Sequence, residues 1–311
     1  MPSRHLIEVE GNPPPKGAYV KWLEGREGRK LRMCVAPARD GEHPRGTVII
    51  CPGRTEFIEK YFETARELQD MGFAVLTLDW PGQGLSHRLL PDPLKGHIDT
   101  FETFMNALRK ALSELSETLP RPYVSLAHSM GGAIALAAIA KQLVQVDAAA
   151  FTAPMWGLKS RFMGMKYIAW AMKTMGRGNT FVLPNKPRES FGENMVTHDH
   201  KRWERNERLL DTAPELELGQ VTWSWLGASL DVIDQFARPD ELADITCPIL
   251  IATAEEEALV DNESHKRIAA QLSDVEHISI ARARHEILME TDAVRAEFWE
   301  AFTRLLSRAG I

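Results

Sequence analysis

A chain of 311 residues, 44% hydrophobic and 26% charged, can bury one large core, or one core with an inserted module. A formal net charge of −6 gives no reason to expect nucleic acid as a partner, and Cys34, Cys51 and Cys247 are too few and scattered for a disulfide framework or a Cys-x-x-Cys metal motif. The first residues hold no secretory leader pattern and no run reaches the ~18 apolar residues of a membrane span, so a cytoplasmic protein is expected, with any membrane contact peripheral.

Residues 1–17 read as a surface arm, in which Pro13-Pro14-Pro15 denies both helix and central strand. Segments 18–23 and 31–36 read as two strands joined by a turn at Gly25 and Gly28, an antiparallel edge. The β-branched run 47–51 suits a strand buried on both faces and ends at the turn Pro52-Gly53-Arg54-Thr55-Glu56. A helix over 61–71 stops at Gly72, and a buried strand over 73–78 runs into Asp79-Trp80-Pro81-Gly82-Gln83-Gly84-Leu85-Ser86. A helix over 98–119 ends at Pro120. A strand over 123–126, a small-residue turn and an Ala-rich helix follow, then a strand over 147–152.

Strand and helix in alternation predict a parallel sheet covered on both faces, with ligands at the carboxyl ends of its strands. The turns after Cys51, Leu78, Leu126, Thr152 and Ala254 are therefore expected to meet at one site. The alternation stops over 155–236, which is rich in Met, Trp and helix formers and reads as an inserted helical cap. It resumes with strands over 248–254 and 275–280 and helices over 262–272 and 291–308. The expected division is an arm (1–17), a core (18–154 with 237–311) and a cap (155–236).

The chemistry centres on Ala127-His128-Ser129-Met130-Gly131. A strand turning sharply into a helix lifts the central side chain clear of the sheet edge, and the flanking residues must be small because strand and helix nearly touch. This is a nucleophile elbow with Ala127 in place of its first glycine, and Ser129 is the candidate nucleophile. A base is expected in the loop after the last strand, where His285 stands. His128 is expected to project away from the site, and His265 and His277 fall inside a predicted helix and strand. His198 and His200 alternate along a predicted helix and so do not share a face. An orienting acid is expected after Ala254, where Glu255, Glu256, Glu257 and Asp261 crowd together, and the residues by themselves leave that choice open. Backbone N–H donors for an oxyanion are expected from Met130 and from the turn after Cys51. This chemistry requires neither a metal nor an organic cofactor.

Taken together, these segments resemble the α/β-hydrolase superfamily, and more closely its monoacylglycerol lipase and bacterial lysophospholipase branch. The resemblance rests on Pro52-Gly53-Arg54-Thr55-Glu56 with Lys60-Tyr61, on the Asp79–Ser86 loop, on His128-Ser129-Met130-Gly131-Gly132, on residues 254–262 and on His285-Glu286-Ile287-Leu288 with Glu290. It implies an α/β-hydrolase fold with an inserted cap. It assigns the triad to Ser129, Glu257 and His285, with Asp261 as second choice for the acid, and the oxyanion donors to the N–H groups of Arg54 and Met130. Most relatives carry Asp where this chain has Glu257. The implied reaction is hydrolysis of the carboxylic ester of a single-chain lipid, a lysophospholipid or monoacylglycerol. The alternatives are a small soluble ester or amide, as in an aminopeptidase using Glu204 and Glu207, or a binding protein without turnover.

The cap carries its own signal. Residues 155–188 contain seven Lys or Arg and no Asp or Glu. Leu158, Phe162, Met165, Ile168 or Ala169, and Met172 recur at helical spacing, with Lys159, Lys166 and Lys173 on another stripe and Met163, Tyr167 and Trp170 widening the apolar side. Two readings stand: a basic, aromatic helix meeting anionic lipid or a phosphate head group, or an apolar face lining an acyl channel with solvated lysines.

Overall fold

The computed structural model describes residues 6–24, 29–39, 44–159, 164–238 and 240–311. The expected Gly25/Gly28 turn, and Phe162 and Met163 of the cap stripe, lie outside them. Eight strands form one sheet: β1 Tyr19–Glu24, β2 Lys30–Ala36, β3 Thr47–Cys51, β4 Ala74–Leu78, β5 Tyr123–His128, β6 Ala148–Thr152, β7 Ile249–Ala254 and β8 Val275–Ile280. Their order is β1-β2-β4-β3-β5-β6-β7-β8. β2 is antiparallel to both its neighbours, and every other pairing is parallel.

The central strands are short because both faces are covered. All residues of β3, β4, β5, β6 and β7 are buried, which is why they read as unbroken apolar runs rather than alternating ones. One face packs on α2 (Glu102–Leu115) and α3 (Met130–Ala140), through Phe104, Leu108, Ile134 and Leu136. The other packs on α1 (Phe62–Asp70) and α8 (Asp292–Arg308), through Ala65, Leu68, Phe298 and Phe302. The helix after β7, α7, spans Asn262–Ala269. α3 is apolar all round, as a helix closed in by sheet and neighbours must be.

Three helices enter between β6 and β7: α4 Met165–Thr174, α5 His200–Thr212 and α6 Trp223–Phe236. α6 joins the main core through Trp225, Ala228, Val232 and Phe236. α4 rests on α6, with Ala169 against Gly227. α5 is clasped to the core by ion pairs: Arg202 reaches Glu63 at 2.7 Å and Asp292 at 2.6 Å, and Arg205 reaches Glu63 at 2.7 Å. The arm is tied down as well. Ile7 N–H donates to Glu59 Oε1 at 3.0 Å, and the buried Asn12 donates to the Glu59 carbonyl at 2.9 Å.

Candidate active site

β5 delivers Ser129 into a backbone conformation that side chains rarely adopt, φ 48° and ψ −118°, immediately before α3. The turn can be this tight because nothing protrudes on its inner side. A Cβ on Gly131 would stand 2.1 Å from the Cys51 carbonyl oxygen. The Ser129 carbonyl accepts the Met155 N–H at 2.9 Å, which binds the elbow to the chain leaving β6.

The loop after β8 brings His285 to this point, 156 residues on in sequence. Its Nε2 lies 2.9 Å from Ser129 Oγ and its Nδ1 lies 2.7 Å from Glu257 Oε2. With the Nδ1 proton donated to the carboxylate, Nε2 accepts from the serine hydroxyl. Glu257 Oε1 takes the N–H groups of Leu259 at 2.7 Å and Val260 at 3.3 Å. Burial pushes the Glu257 carboxyl up, but the His285 hydrogen bond and charge and the two N–H groups outweigh it, so the acid stands below the usual glutamate range. Asp261 does other work. It caps α7 by accepting the Glu263 N–H at 3.1 Å, and it pairs with Arg267 at 2.9 Å. Glu256 reaches out to His198 at 3.2 Å.

Met130 is the first residue of α3, where N–H groups have no partner within the helix. Neither it nor the Arg54 N–H donates to another group among the described residues. Arg54, Glu56, Ser129, Trp225, Val260 and His285 line a cavity of about 200 Å³. Turns after β3, β5, β6, β7 and β8 contribute to that cavity. The turn after β4 does not: it braces the β3 turn from behind. Trp80 Nε1 donates to the Pro52 carbonyl at 2.8 Å, and Gln83 donates to the Gly53 carbonyl at 3.1 Å. Asp79 ties that brace together by accepting the N–H groups of Ile58 at 2.9 Å and Leu85 at 2.8 Å, beside the buried Arg32.

Sequence reasoning missed a charged network under the β3 turn. Glu56 accepts the Gly53 N–H and, at 2.6 Å, the Tyr61 hydroxyl. Lys60 bridges Glu56 at 2.9 Å and Glu286 at 2.6 Å, so one ammonium joins the β3 turn to the residue beside His285. Burial alone would raise the Glu56 carboxyl, yet Lys60, His128 and Tyr61 bring it down to about 2. The Glu-x-x-x-Lys spacing was the available signal, though Glu286 lies 226 residues away from Lys60. His128 also departs from expectation. It stays in the same cavity, its ring 4.9 Å from that of His285 and its Nδ1 2.9 Å from the Thr152 carbonyl. Burial holds it below the usual histidine range, against the opposing pull of Glu56.

The three lysines of the stripe are engaged by protein oxygens. Lys159 donates to the Glu257 carbonyl at 2.7 Å, Lys166 pairs with Asp231 and Asp234 at 2.8 and 2.9 Å, and Lys173 donates to the Asp99 carbonyl at 3.2 Å. His265 and His277 share the Thr253 hydroxyl at 2.8 Å each, away from the cavity.

The family described as serine aminopeptidase, S33 (Hydrolase_4) matches residues 42–292. The chain is 34% identical over 288 residues to a protein named lysophospholipase L2 from Escherichia coli K12, covering 86% of this chain and 82% of that one. It is 28% identical over 294 residues to one named probable lysophospholipase L2 from Haemophilus influenzae, covering 93% and 92%. Among solved structures, a soluble variant of monoglyceride lipase from Saccharomyces cerevisiae superposes with a TM-score of 0.73 at 18% identity, over 97% of this chain and 99% of that one. The monoacylglycerol lipase of Paleococcus ferrophilus gives 0.69 at 17% identity, over 89% and 98%. These two likenesses establish the α/β-hydrolase fold.

Proposed function

The chain belongs to the serine aminopeptidase S33 (Hydrolase_4) family and is a carboxylic-ester hydrolase, and from that premise we propose that it cleaves the ester of a single-chain lipid, a lysophospholipid or monoacylglycerol, through a Ser129 acyl-enzyme. The observation that carries this reading is the hydrogen-bonded chain Ser129–His285–Glu257 at the head of α3. On it, Ser129 Oγ attacks the acyl carbonyl carbon as His285 Nε2 takes its proton. Glu257 holds the ring in orientation and balances the charge it gains. The N–H groups of Arg54 and Met130 stabilise the oxyanion, a term worth about 3–4 kcal/mol per donor. His285 returns the proton to the leaving glycerol oxygen, then activates the water that releases the fatty acid.

The lipid assignment is supported by the names of the relatives and by the apolar walls of the cavity, Met155, Leu158, Trp225, Leu259 and Val260. The peptidase alternative needs carboxylates aimed at a free amine. Glu204 is paired with Arg208 and Glu207 with Arg188, each at 3.1 Å, so neither is free for that task. Within the same reading, residues 155–236 act as a lid over the core of 18–154 and 237–311, and the exposed side of α4 makes peripheral membrane contact. The deciding experiment is fatty-acid release from a monoacylglycerol and a lysophosphatidylcholine of equal chain length, with Ser129→Ala as the blank. Release from at least one, abolished in the variant, is expected. Release from neither, with turnover of an aminoacyl chromogenic substrate, would replace this reading by the peptidase one.

A further inference from the structure

The cavity at Ser129 shares a wall with a second, more polar one of about 360 Å³ between core and cap, lined among others by Asn185, Lys186, Trp203, Asn206 and Gln220. Arg54, Thr55, Val196 and Glu286 belong to both walls. Arg54 stands out among them by the state of its charge. Among the described residues the other buried cations face carboxylates: Arg32 meets Glu59 and Asp79, Lys60 meets Glu56 and Glu286, Arg202 meets Glu63, and Arg295 meets Glu67, while the half-buried Arg88 and Arg284 donate to backbone carbonyls. Arg54 faces none among the described residues. Its Nη2 donates to the Gly219 carbonyl, its guanidinium lies 5.6 Å over the Trp225 ring, and its Nε is buried with no acceptor. Burial pushes it down to about 10, and no acidic neighbour offsets this.

A cation held without its anion, at the seam between the ester site and a polar chamber, is arranged for an anion that arrives with the substrate. We propose that the Arg54 side chain recognises the phosphodiester of a lysophospholipid, whose acyl chain occupies the apolar cavity and whose head group enters the polar chamber. The inference rests on the ester-hydrolase reading above and narrows it. One residue then serves twice: its N–H meets the carbonyl oxygen, and its guanidinium meets the phosphate, which stands one glycerol away on the substrate. Arginine suits this role because its planar fork matches phosphate oxygens two at a time and its face stacks on an indole. The lysines that the sequence offered for a phosphate are occupied by protein oxygens.

The test compares kcat/KM for lysophosphatidylcholine with kcat/KM for a monoacylglycerol of the same chain, in wild type and Arg54→Gln. The ratio corrects for any disturbance of the oxyanion turn, which both substrates use. It is expected to fall roughly 10–100-fold, the range for losing a charge-assisted hydrogen bond. A ratio within a factor of about two of wild type would overturn the proposal, since a single lost ionic contact exceeds that. A second measurement needs no turnover and no change at Arg54. In Ser129→Ala, binding of dodecylphosphocholine below its micelle concentration is followed by tryptophan fluorescence, against dodecylglycerol and against glycerophosphocholine. Tighter binding of the phosphocholine lipid than of either comparator supports the proposal. Equal affinity for the two chain-bearing lipids would overturn it, and glycerophosphocholine binding as tightly as the lipid would assign the site to a free phosphate ester instead. The two readings fail separately. Ester turnover with an unchanged ratio removes Arg54 alone, whereas phosphocholine-selective binding without turnover removes the reaction and keeps Arg54.

Discussion

Glu257 stands where the resemblance leads one to expect aspartate, and its surroundings show how the longer side chain is accommodated. Its two oxygens are held by three donors, His285 Nδ1 and the N–H groups of Leu259 and Val260, so the extra methylene is fixed rather than loose. The His285 hydrogen bond and the two N–H groups hold its carboxyl below the usual glutamate range against the effect of burial. Glu257→Gln keeps the shape but loses the charge and favours the wrong tautomer, and kcat on a fluorogenic ester is expected to drop about 10⁴-fold. Ser129→Ala is expected to cost roughly 10⁴–10⁶-fold in the same assay. Asp261 is the control. As the cap of α7 it holds up structure, so Asp261→Ala is expected to lower stability by about 1 kcal/mol while kcat stays within a few-fold. A collapse of kcat in Asp261→Ala together with survival of Glu257→Gln would move the orienting acid to Asp261.

The turn after β3 shows the same logic for a whole element. Glu56 binds the Gly53 N–H from below, and Lys60 carries that charge across to Glu286, so the β3 turn and the His285 loop are held by one ion network. The carboxyl falls from 4.5 to about 2 on folding, so it stabilises the fold fully above about pH 4.5, and that contribution is lost as pH falls toward 2. Lys60 is raised instead, so its share is present at neutral pH and lost only at strongly alkaline pH. The gap in melting temperature between wild type and Glu56→Gln should be widest near neutrality and close between about pH 4.5 and 2. A gap independent of pH would mean that shape, not charge, sets Glu56's contribution. Gly131→Ala tests the elbow: with the Cys51 and Pro52 carbonyl oxygens both in the path of the new Cβ, and rigid backbone rather than a flexible side chain in the way, a loss of about 3 kcal/mol or more is expected in denaturant unfolding. These elements also mark how far the sequence reaches. β3 to β7 were legible because strands buried on both faces are short β-branched or alanine runs, and His285 was legible because it follows β8, the last strand. The Glu56–Lys60–Glu286 network was not, since its partners meet only when β3 and β8 bring their turns to one edge. Nor was the role of the Asp79 turn, which reads like a site loop yet supports one. In the cap, helical spacing showed that a stripe existed but not that Asp231 and Asp234 of α6 would claim Lys166.

At the scale of the whole molecule the question is how a lipid reaches a buried serine. No helix among the described residues is long and apolar enough to cross a membrane. The outer side of α4 nevertheless leaves Tyr167 75% and Trp170 66% exposed, with Met175 just beyond it at 63%. Tyr167 and Trp170 stand three apart and so share a face, and such aromatics settle at the boundary between head groups and acyl chains. The basic character of the segment is partly cancelled, because Lys166 is paired with Asp231 and Asp234, while Lys173 keeps its charge but is tethered to the Asp99 carbonyl. Contact through α4 should therefore be carried by its aromatic rings more than by its charge. Sedimentation with anionic liposomes at low salt is expected to retain the protein, and Tyr167→Ala with Trp170→Ala to release most of it. Added salt should weaken retention less than the double substitution does, because screening acts on charges and not on buried rings. The reverse order would return the role to the lysines. Failure of anionic liposomes to retain even the wild type would remove the membrane contact and leave single lipid molecules in solution as the route to Ser129.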